Sequence, residues 1–190
     1  LAKRFMTALG SPNVDSRLRH AEFSDAPTAR YLGLPIAALS DLQRVLIVGS
    51  NLRKDHPLFA LRIRYATRKG CVVSALSEQA VDWAMPVANT LQANAANWVQ
   101  ALADVAAAVA AEKGVAAPAA GTATDTARAI AASLLTGESK AILLGNAAAH
   151  HAKASSLLSL ANWIAAQTGA SVGYLGEAAN TVGAQVAQAV

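Results

Sequence analysis

Residues 44–76, RVLIVGSNLRKDHPLFALRIRYATRKGCVVSAL, decide the fold class of this chain. Residues 45–48 form a continuous apolar run, the pattern of a strand buried on both faces of a sheet. The run ends in Gly49-Ser50-Asn51, a turn of small and polar residues. Pro57 stands where a first helical turn begins, with Asp55 beside it to favour the helix N-terminus. Leu58, Leu61 and Tyr65 lie on one helical face; Arg68 and Lys69 occupy the last turn, and Gly70 follows as a C-cap. Residues 71–76 are a second apolar strand. A parallel pair joined by a helix places the turn at residues 49–51 at the carboxyl end of the sheet, where open α/β folds bind ligands.

The same alternation continues outward. Upstream, residues 1–10 read as a helix closed by Gly10, residues 11–26 as a polar loop, and residues 28–32 as a short helical turn. Residues 35–42 lead into the first strand. Downstream, residues 77–94 show no clear period, and residues 82–87 within them read as an extended segment near the sheet. Residues 95–112 predict a strong Ala-rich helix, with Trp98, Leu102, Val105 and Val109 at helical spacing. The Gly/Pro/Ala-rich residues 114–123 read as a loop or linker. A helix over 124–135, a strand over 140–144 ending in Gly145-Asn146, a helix over 150–168 and a strand over 171–175 follow. Leu157, Leu160, Trp163 and Ile164 form the apolar face of that last long helix, and Gly169 caps it. Short apolar strands alternating with helices predict one three-layer α/β/α domain over residues 1–190, with a mostly parallel, doubly wound sheet. The two strand–turn events, Val48-Gly49-Ser50-Asn51 and Leu144-Gly145-Asn146, are candidates for equivalent positions in its two halves.

Composition narrows the function classes. Of 190 residues 54% are apolar and 5% aromatic, so the core must be built from Ala, Val, Leu and Ile. No apolar run approaches the roughly 18–20 residues of a membrane span, which argues against direct membrane insertion. No signal-peptide pattern follows Leu1-Ala2-Lys3-Arg4. The absence of an initiator Met and the opening inside a helical pattern lead us to expect a piece of a longer protein. The single cysteine, Cys71, leaves no disulfide within the chain, no cysteine zinc site and no four-cysteine iron–sulfur cluster; it reads as a small core hydrophobe. Residues 1–70 carry 12 Lys/Arg against 5 Asp/Glu, and residues 71–190 carry 4 against 7. The basic half suits an anion or nucleotide surface, a partner with an acidic face, or simply solvated helix faces. No exposed aromatics interleave with its basic residues and no reading motif occurs, which speaks against nucleic acid.

Neither strand-ending turn carries a G-x-G-x-x-G fingerprint, and the chain has no P-loop and no G-x-S-x-G elbow. His150-His151 resembles a metal pair, but adjacent helical residues point about 100° apart, so a polar helix start is the better assignment. His56 is a candidate phosphate contact at a helix N-terminus or, more simply, a cap. Asn51 and Asn180 suit tight turns or contact with a phosphate or pterin.

These residues carry a family resemblance. VLIVGSNLRKDHPLFALRIRYATRKGCVV resembles the strand–Gly-Ser-Asn-x-x-x-x-His-Pro–helix–Lys-Gly–strand pattern of the molybdopterin-oxidoreductase domain family. FMTALGSPNVDSRLR, at residues 5–19, is similar to that family's Leu-Gly-Thr-x-Asn-x-Asp-x-Arg segment. GEAANTVGAQ, at residues 176–185, is similar to a segment of one branch, the large iron–sulfur subunit of bacterial NADH-quinone oxidoreductase (respiratory complex I). Residues 52–57 resemble the proteobacterial wording of that branch. The resemblance implies a cofactor-binding scaffold with Gly49, Ser50, Asn51 and His56 at the cofactor's place. The chain departs from the catalytic relatives in two respects. Ser74-Ala75-Leu76-Ser77 stands where they carry the Asp-Pro-Arg whose acid binds guanosine, and Asn51-Leu52 replaces Asn-Pro. No molybdenum ligand is identifiable. The implied state is vestigial: no molybdenum, no catalytic residue, and 2Fe-2S and 4Fe-4S clusters of the parent subunit held outside this segment. The implied partners are other subunits of the complex I peripheral arm, on the cytoplasmic side of the bacterial inner membrane. The alternative is a molybdopterin- or nucleotide-binding oxidoreductase domain that is still active.

Overall fold

The computed structural model describes residues 1–14 and 30–187. Its strands are β1 (Arg44–Val48), β2 (Val72–Ser77), β3 (Asn89–Gln92), β4 (Lys140–Leu144) and β5 (Ser171–Tyr174). They form one all-parallel sheet in the order β3-β2-β1-β4-β5. The helices are α1 (Ala2–Ala8), α2 (Leu52–Asp55), α3 (Pro57–Arg68), α4 (Trp98–Lys113), α5 (Asp125–Leu134), α6 (Asn146–Ala149), α7 (Ala154–Thr168) and α8 (Thr181–Val186). No helix among the described residues is long and apolar enough to cross a membrane.

The strand period of two sorts the core into two layers. Val45 and Ile47 of β1, Val73 and Ala75 of β2, and Ala141 and Leu143 of β4 pack with Ala60, Ile63 and Ala66 of α3. Leu46, Val48, Leu76, Ile142 and Leu144 point the other way, into a layer built from α4, α5 and α7. This is the three-layer α/β/α architecture expected. Local chemistry supports each element. Pro57 opens α3, the Thr124 hydroxyl accepts from the Ala127 N–H at 3.2 Å to start α5, and Trp98, Leu102, Val105 and Val109 are all buried as their spacing predicts.

The structure refines two expectations and corrects two. The face of α3 that carries Leu58, Leu61 and Tyr65 turns outward, at 73%, 62% and 52% exposure, while the small residues Ala60 and Ala66 flank Ile63 against the sheet. A helix seated over a close-packed sheet wants small contacts at its nearest points, so size misleads here. Second, residues 82–87, the segment expected near the sheet, deliver the buried Trp83 to the α3-side core without forming a strand, and the strand β3, absent from the expected elements, comes just after them. β3 is a half-exposed edge strand rich in polar residues, so it carries no apolar run to find. Third, α7 begins at Ala154 rather than at residue 150, because Asn146–Ala149 forms the separate short helix α6. Fourth, residues 30–32 are not helical, and the rest of the turn expected over 28–32 lies outside the described residues. The expected loop over 11–26 and the resemblance at residues 5–19 also fall partly outside them.

Cys71, just ahead of β2, is buried, and burial pushes its thiol up to about 11 from 9.0, with the nearby Arg44 charge partly opposing. The unfolded thiol ionises first as pH rises, so its contribution to stability is whole below about pH 9 and declines toward pH 11. Urea unfolding of wild type and Cys71→Ala over that range should show a steeper loss in the wild type. The outward face of α3 yields a second expectation. Ile63→Ala should cost about 2–5 kcal/mol of unfolding free energy, whereas Leu61→Ala should cost about 0.5 kcal/mol or less, read by the same denaturant titration.

Candidate functional site: the crevice between β1 and β4

β1 and β4 are direct neighbours, with Val48 opposite Leu144. From β1 the chain crosses through α3 to β2; from β4 it crosses through α7, on the opposite face, to β5. The strand order thus reverses between β1 and β4, and a crevice opens at their carboxyl ends, the switch point of a doubly wound sheet. The two strand–turn events are therefore equivalent positions side by side. The Gly145 N–H donates to the Val48 carbonyl at 2.8 Å, and the Ala147 N–H to the Gly49 carbonyl at 3.0 Å. Gly49 has φ +63, and a Cβ there would lie 2.6 Å from the Trp98 ring and 2.7 Å from the Ala148 nitrogen. A Cβ on Gly145 would run into Ser50.

Ser50 and His56 are buried at this edge, at 6% and 9% exposure. The structure ties His56 to the turn after β5: its Nε2 donates to the Gly176 carbonyl at 2.9 Å, and its ring stacks on Phe59 with centroids 5.8 Å apart. It occupies the N-cap position of α3 but makes no side-chain cap bond, so it is not the cap the sequence offered. Its Nδ1 is buried without a partner. The Ser50 Oγ, Asn51 Oδ1 and Asn146 Oδ1 are buried without partners as well. Each such group costs about 1–3 kcal/mol, and native structures hold few of them. All four lie on the two turns and the helix start that border one crevice.

The backbone of the first turn is used differently from what sequence implies. Asp55 does not serve α3; its carboxylate accepts from the Asn51 N–H at 3.0 Å and closes the turn around α2. The Gly49 N–H donates to the Leu76 carbonyl at 2.9 Å. At the end of β2, Ser77 is buried and its hydroxyl donates to the Gln79 carbonyl at 3.0 Å, with Glu78 exposed beside it.

The other wall is aromatic. Trp98 donates from Nε1 to the Ala93 carbonyl at 2.9 Å and stacks on His151, centroids 5.9 Å apart. His151 Nδ1 accepts from the Lys153 N–H at 2.9 Å, so its Nε2 carries the proton and donates to the Ala95 carbonyl at 2.8 Å. His150 instead pairs with Glu177, Nε2 to Oε2 at 2.8 Å. The adjacent histidines thus serve separate protein partners, and the described residues include no group of three His, Cys, Asp or Glu placed to hold a metal ion. Asn180 is exposed at the start of α8, apart from the buried set. No sequence motif marks Ser77 or the Trp98–His151 stack as part of the site, and only the repeated strand–Gly-Asn pattern points to Asn146.

Gly49→Ala should lose about 1–3 kcal/mol from backbone strain alone, with a further loss from the Trp98 contact, seen as a lower urea midpoint.

The molybdopterin oxidoreductase family profile matches residues 1–189. No curated protein matches the chain. With a family match across nearly its whole length and the all-parallel α/β/α sheet that the family resemblance implies, the chain belongs to the molybdopterin oxidoreductase family.

Proposed function

We propose that this chain is part of the large iron–sulfur subunit of a bacterial NADH-quinone oxidoreductase, and that its domain is a scaffold without molybdopterin. Family membership gives the redox class. The wording of residues 52–57 and 176–185 supports the branch. On this reading electrons pass from NADH to quinone through 2Fe-2S and 4Fe-4S clusters outside residues 1–190. The domain itself packs among other peripheral-arm subunits, on the cytoplasmic side of the membrane.

The observation that carries the scaffold reading is the chemistry of the first turn. A dinucleotide pyrophosphate is held by N–H donors and positive charge. Here the N–H groups of Gly49, Asn51, Gly145 and Ala147 all go to acceptors within the protein. One of those acceptors is the Asp55 carboxylate, which sets negative charge at the turn. The Trp98 ring lies against Gly49, and the Ser77 hydroxyl, at the end of β2 where the catalytic relatives carry an acid, is bonded to Gln79. This donor set does not suit the pyrophosphate of a molybdopterin dinucleotide.

One observation favours a second reading. The partnerless Asn51 Oδ1, Asn146 Oδ1 and His56 Nδ1 suit a neutral ring bearing N–H donors, such as a pterin or guanine. The domain would then be a molybdopterin- or nucleotide-binding oxidoreductase unit. Metal analysis and thermal unfolding separate the two. The scaffold reading expects no stoichiometric molybdenum in the purified chain and no shift with guanine nucleotides, NADH or a molybdopterin extract. A ligand at 100 times its Kd adds about 2.7 kcal/mol of stability, and a shift of that size would favour the second reading. Membership of the complex is tested apart from this, by whether NADH-quinone reductase activity co-purifies with the tagged full-length subunit.

A further inference from the structure

We infer that the outer face of α3 is the docking surface for a protein partner whose contact surface is an apolar ridge flanked by Asp and Glu. Leu58, Leu61 and Tyr65 stand one above another on that face and are 73%, 62% and 52% exposed. The solvent side of a helix in an α/β layer is ordinarily polar, and contiguous exposed apolar side chains mark interaction sites.

The charge around the ridge identifies the partner's chemistry. α3 carries Arg62, Arg64 and Arg68 and no acidic residue. Arg53 pairs with Asp82, and Lys69 pairs with Asp41 while lying 4.5 Å over the Tyr65 ring. Arg64, Arg68 and the nearby Lys54 have no acidic partner among the described residues, and Arg62 reaches only the Ser40 hydroxyl, at 3.4 Å. Unpaired cations beside an apolar ridge call for carboxylates on the other side. Arginine outnumbers lysine on the helix, and its planar fork matches carboxylates in pairs, whereas a lipid surface attracts either cation alike. Tyrosine and arginine are also the residues that most often dominate protein–protein contacts. The inference rests on this surface and not on the identity of the assembly.

A photoreactive benzoylphenylalanine in place of Leu61, in the full-length protein expressed in its native host, tests it. The exposed position tolerates the change, and circular dichroism checks the fold. Irradiation should give an adduct whose sequenced peptide comes from a different polypeptide and bears Asp or Glu around apolar residues. Arg64→Glu with Arg68→Glu should lower its yield at least tenfold, and the same probe at Glu112 on α4 should give none. An adduct with lipid, nucleic acid, a second copy or another segment of this chain would overturn the inference. So would no adduct, or a yield that charge reversal leaves unchanged. An adduct with a subunit of the NADH-quinone oxidoreductase and one with an unrelated acidic protein support it equally, so its outcome is independent of the scaffold reading.

Discussion

β1 is enclosed on every side, and this enclosure organises the molecule. Its backbone is paired along both edges, to β2 and to β4, over all five residues. Its side chains are buried on both faces, Val45 and Ile47 toward α3, Leu46 and Val48 toward α4, α5 and α7. A polar side chain on a strand so placed is costly unless a neighbour bonds it, as Asn89 bonds Ser74 on β2, and residues 45–48 are uninterrupted Val, Leu and Ile. The same enclosure fixes where the chain must leave the sheet. Gly49 follows directly, and only a residue without a Cβ passes between the Trp98 ring and the backbone of Ala148.

What was legible in the sequence followed from how strongly one force dominated locally. β1, β2, β4, β5 and the long helices are written in apolar runs and helical spacing, and the structure holds them within a few residues of the expected bounds. β3 escaped because an edge strand that is half exposed needs no such run. The outward turn of Leu58, Leu61 and Tyr65 escaped because hydrophobic spacing reports a face without saying which neighbour covers it. For the site, the turn of Gly49, Ser50 and Asn51 lies at the sheet's carboxyl edge as the local strand–turn–helix pattern implies, and His56, which the family resemblance adds, is buried at the same edge. Their partners were not legible: the Gly176 carbonyl on His56, the packing of Trp98 on Gly49 and the adjacency of Asn146 all depend on segments far apart in the chain.

The crevice thus holds two opposed signals. The N–H groups of Gly49, Asn51, Gly145 and Ala147 and the Gly49 gap are satisfied by the protein, as in a structural core, while four side-chain atoms are left buried without partners, as in a binding site. On the proposed scaffold reading, the first signal is an exchange of cofactor contacts for internal ones. The second falls on Ser50, Asn51 and His56, which the family pattern shares, and on Asn146, which lies beside them.

The order of the strands also has a kinetic consequence. β1 meets β2 across the short helix α2 and the helix α3, a local pairing that closes a short loop. Its other edge waits for β4, which arrives only after β2, β3, α4 and α5 have been made. Because loop closure grows slower as contacts become less local, the central strand spends the early part of folding with one edge open. The Ala-rich α4–α5 segment lies between the two halves of the sheet in sequence, and the pairing of β4 that follows it ends this exposure. Translation, which releases residues 44–76 well before 140–144, lengthens the same interval.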